Sequence, residues 1–227
     1  MKITWLGQAG LLFETEKATV MIDPYLSDSC GKLNPKSHRR VPVDESVFDV
    51  KPNVMLFTHN HLDHYDPETA PVYFAKEKKM TVLCPSSVWQ KARAYGNGHN
   101  YVRFNRYTEW TDGDLRFSAV KAEHSDDYAI GVIVEEISTG TKFYITGDTL
   151  YSREVLSDLP DDIYAIFLPI NGVGNNMNAT DAARFAKASG ARKCVPVHFG
   201  MFDELDPRTF VCPGRVIPEI YKEINLD

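Results

Sequence analysis

Residues 58–66 read Thr-His-Asn-His-Leu-Asp-His-Tyr-Asp and follow directly on the apolar run Val54-Met55-Leu56-Phe57. Three of the chain's seven histidines and two of its aspartates thus stand together, right after a run short enough to be a strand. In extended backbone the side chains at i and i+2 point the same way, so His59 and His61 can reach one point in space. Asp63 and His64, past a turn, can face a second point nearby. Two imidazoles aimed together suit a borderline divalent metal, and a carboxylate adds the negative charge that helps hold it. Packing offers no reason to gather these groups, and a buried Asp63 without a cation would be costly. The fold therefore has to bring a strand end, a turn and further ligands to one place.

The remaining pattern supplies such a frame. Apolar runs at 3–6, 11–14, 19–22, 54–57 and 81–84 read as strands, interrupted by helices at 67–78, after an Asp66 suited to an N-cap, and at 86–95. The second half repeats the plan, with strands at 101–104, 115–122, 129–135, 142–146, 163–168 and 193–197 and helices at 151–158, 179–189 and 216–223. Strands precede helices in both halves, which predicts an α/β fold with two sheets packed face to face and helices outside. With 227 residues, 43% of them hydrophobic, and no Pro/Gly/Ser-rich linker, the chain is expected to form one domain, 1–227. The connection at 24–50, carrying Lys36-Ser37-His38-Arg39-Arg40, is longer than usual and reads as a lid, a binding loop or a solvated surface loop.

Further ligands are found at equivalent places. His124 follows the strand ending Val120-Lys121-Ala122, Asp148 follows Phe143-Tyr144-Ile145-Thr146-Gly147, and His198 follows Cys194-Val195-Pro196-Val197. If those strand ends converge, five histidines and two aspartates share one cleft, enough for two metal ions. Gly147 allows close backbone approach to a crowded site. His38 and His99 lack such placement and are expected to be structural.

The set HxHxDH at 59–64, followed by His124, Asp148 and His198, resembles the metallo-β-lactamase superfamily, and the resemblance spans nearly the whole chain. "WLGQAG" at 5–10, "IDPYLSDS" at 22–29, "LPINGVGNNMN" at 168–178 and "PVHFGMF" at 196–202 resemble the branch containing bacterial L-ascorbate-6-phosphate lactonase. That branch is also similar to N-acyl-phosphatidylethanolamine phospholipase D, a phosphodiesterase. The resemblance implies a four-layer αββα sandwich. It implies that His59, His61 and His124 hold a first metal, that Asp63, His64 and His198 hold a second, and that Asp148 bridges them. Asp23 would orient a ligand histidine from behind, as outer carboxylates do, or be an ordinary turn residue before Pro24.

A dication acidifies bound water toward neutrality. The expected activity is hydrolysis, most readily of a small lactone, including a phosphorylated sugar lactone, with a phosphodiester as the alternative and a non-catalytic metal-binding scaffold as a third reading. Asp63 and Asp148 are the expected catalytic carboxylates, Asp63 orienting the attacking water and moving its proton. The ligands are all nitrogen or oxygen, with no thiolate to select zinc, so manganese, iron and zinc are all compatible; the resemblance to the superfamily implies zinc as the default cofactor, and the lactonase branch raises manganese. Arg39 and Arg40 are candidates to clamp a phosphate, and Gln8, Asn171 and Asn178 to bind substrate hydroxyls, although Asn is also an ordinary turn residue.

Charge and composition exclude other classes. A net charge of −6 argues against a nucleic-acid face and hence against a tRNA-processing nuclease. The longest uncharged apolar stretch, 163–170, is far below the roughly 20 residues of a membrane span. The first thirteen residues fit strand, turn and strand better than a signal peptide, so a cytoplasmic location is expected. Cys30, Cys84, Cys194 and Cys212 form no CxxC pair and are expected to be free thiols. The expected partner is a small-molecule substrate; subunit number is left open, a homo-oligomer included.

Overall fold

A computed structural model describes residues 1–76 and 78–227. The chain begins with β1 (Lys2–Gly7), β2 (Gly10–Glu14) and β3 (Thr19–Ile22), then α1 (Ser29–Leu33), β4 (Val54–Leu56), α2 (Thr69–Phe74), β5 (Thr81–Cys84), α3 (Ser86–Arg93) and β6 (Asn100–Arg103). It continues through β7 (Glu109–Asp112), β8 (Leu115–Lys121), β9 (Ile130–Glu136), β10 (Thr141–Ile145), α4 (Arg153–Ser157), β11 (Ile163–Pro169), α5 (Ala179–Ser189) and β12 (Lys193–Val197). Among the described residues the strands form two sheets, ordered β1-β2-β3-β4-β5-β6 and β12-β11-β10-β9-β8-β7. Each sheet is mixed, antiparallel at its hairpins and parallel from β3 to β6 and from β10 to β12.

Alternation along the strands sets the layers. Leu11, Phe13, Val20, Ile22, Val54, Leu56 and Leu83 face the second sheet and pack with Phe117, Val132, Val134, Phe143 and Phe167. The intervening Leu12, Met21, Met55, Val82 and Cys84 face outward onto α2 and α3 through Ala70, Tyr73, Phe74, Val88 and Ala92. Phe13 meets Phe143 and Phe167 edge-on at 6.0 and 6.1 Å, tying the sheets together at their centre. On the far side Ala182, Phe185 and Ala186 of α5 close the second sheet. The result is helix, sheet, sheet, helix, the four-layer α/β sandwich expected.

Three departures from the expected elements have local causes. β7, Glu-Trp-Thr-Asp, was not foreseen because it is an edge strand with alternate residues exposed, so it carries no apolar run. The helix expected at 67–78 is only Thr69–Phe74, and residue 77 of that stretch lies outside the described residues. Asp66 nonetheless caps the turn, accepting from Glu68 N at 3.1 Å and from the Thr69 hydroxyl. The helix expected at 216–223 does not form. Pro218 has no N–H and disfavours helical backbone at Ile217, and the segment instead bonds to the outer strand of each sheet. Val216 N donates to Cys194 O at 2.9 Å, and Ile224 N to Ile3 O at 2.8 Å, so the β12 edge of one sheet and the β1 edge of the other are covered.

The long connection at 24–50 contains α1 and two short 3₁₀ turns, Pro35–Ser37 and Glu45–Asp49. The four cysteines are free, with the Cys194 and Cys212 sulfurs 3.3 Å apart. Among the described residues no helix is long and apolar enough to cross a membrane.

Candidate metal centre

Strand direction explains why the candidate ligands meet. In the first sheet β1, β3 and β4 run the same way, and in the second so do β8, β10 and β12. Gln8 follows β1, Asp23 follows β3, the 59–64 cluster follows β4, His124 follows β8, Asp148 follows β10 and His198 follows β12. All stand at carboxyl ends, the usual place for a site in sheets of this kind. Ligand atoms of His59, His61, His124 and Asp148 lie within 4.8 Å of one another, as do those of Asp63, His64 and His198. Asp23, His59 and His64 form a third such group.

The outer contacts of each ring decide which nitrogen faces inward. Asp23 Oδ2 takes His64 Nδ1 at 2.7 Å, and Asn175 O takes His124 Nδ1 at 3.2 Å, so both rings turn Nε2 to the centre. Thr58 Oγ1 lies 3.1 Å from His59 Nδ1, with the same effect, whereas His61 places Nε2 3.2 Å from Ser125 Oγ and turns Nδ1 inward, 3.2 Å from His124 Nε2. Asp148 Oδ2 sits 3.3 Å from His198 Nε2 and 4.0 Å from His124 Nε2, and its Oδ1 sits 3.3 Å from His64 Nε2. Asp148 thereby touches both groups of ligands.

Backbone conformation at the centre is unusual. Gln8, Asp23 and His198 all adopt left-handed φ, at 49°, 44° and 59°, an arrangement that costs about 1–3 kcal/mol each and clusters at functional sites. His198 N donates to Gln8 O at 2.8 Å, so two of these residues lock the end of one sheet to the end of the other. Gly147 is left-handed too, and a Cβ there would stand 2.9 Å from Ile130 O and from Thr58 Cβ. Gly147→Ala is therefore expected to cost about 3 kcal/mol through strain and overpacking. A melting scan should show a fall of roughly 6–12 °C; an unchanged Tm would contradict the close approach.

Electrostatics divides the histidines. Burial, reinforced by His64, pushes the His59 imidazole well below its ordinary range, and burial likewise lowers His124. Burial also opposes charge on His64 and His198, but the carboxylates outweigh it. Asp148, Asp23 and Asp63 hold His64 well above its ordinary value, and Asp148 and Asp63 hold His198 up at about 10. In return His198 and His64 keep Asp148 well below the usual carboxylate range despite its burial, and Asp63 is lowered in the same way.

A metal fits this donor set. His59 Nε2, His64 Nε2 and Asp148 Oδ1 are buried without a hydrogen-bond partner, the latter two lying 3.3 Å apart but out of alignment. Buried polar atoms without a hydrogen bond are expensive, and a cation that displaces the His64 proton satisfies all three together.

The substrate candidates fare differently. Gln8 is buried, its Nε2 donating to Asp63 Oδ2 at 2.8 Å and lying 3.1 Å from His198 Nε2, so it serves the ligands and not a substrate hydroxyl. Arg39 is also buried. Its nitrogens bond Tyr25 O, Val41 O and the Tyr221 hydroxyl, which engages the guanidinium inside the fold and corrects its assignment as a phosphate clamp. Arg40 is half-exposed and paired with Glu204. Asn178 caps α5, accepting from Thr180 N and Asp181 N, so its amide is engaged, whereas Asn171 meets Asn178 only through a backbone bridge and its side-chain Oδ1 is buried without a partner. The asparagines that reach the centre are their neighbours, Asn176 donating to Asp148 Oδ2 at 2.7 Å and Asn175 through its carbonyl. Thr58, Ser125, Asp126 and Asn176 carried no signal in the sequence beyond lying near a ligand. His38 and His99 stand apart, on Asp28 Oδ2 at 2.6 Å and Phe74 O at 2.9 Å.

The chain is similar to known proteins. The family model described as a β-lactamase superfamily domain matches residues 18–199. A UPF0173 protein of Pyrococcus furiosus is 30% identical over 213 residues, covering 92% of this chain and 89% of that protein. A UPF0173 metal-dependent hydrolase of Bacillus cytotoxicus is 30% identical over 245 aligned residues, with 100% of both chains covered. Among solved structures, one from Veillonella parvula, described as a possible metal-dependent hydrolase, superposes with a TM-score of 0.81 at 18% identity, covering 99% of this chain and 98% of that one.

Proposed function

The chain belongs to the metallo-β-lactamase superfamily, and from that premise we propose that it is a metal-dependent hydrolase of a small molecule, most readily a lactone. The observation that carries this reading is the trio of buried, unpartnered atoms, His59 Nε2, His64 Nε2 and Asp148 Oδ1, directed at a ring of further nitrogen and oxygen donors. His59, His61 and His124 would hold one divalent ion, Asp63, His64 and His198 a second, with Asp148 touching both, zinc being the default and manganese the alternative. Bound there, the ions supply Lewis acidity and an acidified water.

The protein's own groups do the rest. Asp63 is oriented by the Gln8 amide and placed beside His198, where its free lone pairs can take a proton from the attacking water and pass it to the leaving oxygen. Asn176 fixes the Asp148 carboxylate from outside, and Asp23 fixes the His64 ring, so neither has to reorganise as charge develops. The continuous core between the sheets supports reading 1–227 as one hydrolase domain.

The lactone reading rests on the likeness of the flanking motifs and on the polar rim formed by Ser125 and Asn175. With Arg39 engaged in the fold, recognition of a phosphate on that lactone would fall to Arg40, which must first release Glu204. One observation favours a phosphodiester with an apolar tail. Leu150 and Val173, on the two loops that deliver Asp148 and Asn175, are exposed at 39% and 68%. The deciding experiment loads the protein with manganese or zinc and measures hydrolysis of a phosphorylated sugar lactone beside a chromogenic phosphodiester, with Asp148→Ala as control. Lactone turnover lost in the variant supports the proposal, diester turnover alone installs the second reading, and stoichiometric metal with neither activity installs a binding scaffold.

A further inference from the structure

We propose that Asp126 is the positioning residue of the three-histidine half of the centre, holding His59, His61 and His124 in register; the inference rests on the metal-binding reading above. Asp126 is buried. Its Oδ2 accepts from the backbone N–H of Asn60 at 3.1 Å and from Ser87 Oγ at 2.6 Å, and its Oδ1 accepts from Tyr128 N–H at 3.0 Å. Asn60 lies between His59 and His61, and Asp126 stands two residues beyond His124. One carboxylate therefore joins the loop after β4, the loop after β8 and the first turn of α3.

Apart from Asp126, the loop bearing His61 meets its neighbour at its root, where Thr58 O accepts from Ile130 N at 3.0 Å, and through the His61 ring itself, 3.2 Å from Ser125 Oγ and 3.2 Å from His124 Nε2. The other half of the centre has its own supports, Asp23 behind His64 and Gln8 behind Asp63 and His198. Loss of Asp126 should therefore be felt on one side only. Three donors converge on two oxygens, which a carboxylate satisfies with acceptor lone pairs alone; an amide presents N–H to at least one of them. Without the carboxylate the Asn60 and Tyr128 N–H groups lose their acceptor, the two loops drift apart, and ligand atoms that must agree to a few tenths of an ångström no longer converge.

The test is competition titration of the metal-free full chain with zinc and with cobalt(II), whose visible spectrum reports coordination. It compares wild type with Asp126→Ala, Asp126→Asn, Ser87→Ala and, as benchmark, His61→Ala, with a melting curve for each. Asp126→Ala should weaken one metal equivalent roughly 10- to 100-fold, the usual cost of removing a group behind a ligand set, and leave the other at wild-type affinity. Asp126→Asn should fall between, and Ser87→Ala, which removes only the α3 contact and spares Asn60 and Tyr128, should weaken the same equivalent by less than Asp126→Ala does. Asp126→Ala binding both equivalents as wild type, or losing both by the same factor, would overturn the proposal while the metal reading stands. A wild type that takes up no metal, or a His61→Ala protein that binds normally, would overturn both.

Discussion

Asp148→Ala is expected to reduce hydrolysis by the metal-loaded protein by roughly a thousandfold or more, the upper range for deleting one preorganised electrostatic group. The carboxylate lies 3.3 Å from both His64 Nε2 and His198 Nε2 and 4.0 Å from His124 Nε2, so it contacts members of both ligand groups. The same substitution should destabilise the metal-free fold. His64 and His198 are held charged by surrounding carboxylates, and removing one partner leaves buried positive charge under-compensated. Breaking a buried pair costs about 3–5 kcal/mol, and the lower end applies because Asp23 and Asp63 still face these rings. The expected fall in Tm at pH 7 is roughly 6–12 °C. Asp148→Asn should keep most packing, since its amide oxygen can still accept from Asn176, yet lose activity to a similar extent. Steady-state kinetics and melting curves of the two variants check this. An active Asp148→Ala protein would remove Asp148 from the reaction.

The convergence of the candidate ligands was legible because metal chemistry restricts residue type, and because strand ends announce themselves as apolar runs stopping at a polar residue. Asp148 after 142–146 and His198 after 193–197 are weak signals singly and gain weight from sharing that placement with the 59–64 cluster. The groups behind the ligands were not legible. Asn176 and Asp126 act through geometry that any turn asparagine or aspartate could adopt, and only the folded loops distinguish Asn176, on Asp148, from Asn178, on the end of α5. Arg39 misled for a related reason. A basic cluster in a long loop looks like an anion clamp, but Arg39 bonds Tyr25 O and Val41 O within that same loop and pins it to the body through the Tyr221 hydroxyl. The strain at Gln8, Asp23 and His198 was equally invisible, since nothing in a Gln, Asp or His prescribes a positive φ. The absent helix at 216–223 shows tertiary demand overriding a helical pattern, because two sheet edges required backbone partners.

Metal loading should raise thermal stability substantially, and more so as pH increases. Without metal, the centre at pH 7 stores its ion pairs as protonated His64 and His198 beside ionised Asp63 and Asp148. Each raised histidine contributes stability that is complete below its unfolded pKa near 6.5. That contribution is lost as pH rises through the folded value, which for His198 is about 10. The metal-free protein therefore loses this stabilisation progressively above about pH 6.5. A metal at His64 Nε2 and His198 Nε2 takes the place of those protons, so its apparent affinity strengthens across the same interval. At free metal a thousand times Kd, binding adds about 4 kcal/mol, or roughly 8–16 °C in Tm. The difference in Tm between metal-loaded and chelator-treated protein should therefore be larger at pH 8.5 than at pH 6.5 at equal free metal. Calorimetric titration in buffers of different ionisation enthalpy should also show net proton release at pH 7. A Tm difference independent of pH, with no protons released, would mean that the metal binds away from His64 and His198, and the assignment of that half of the centre would have to be abandoned.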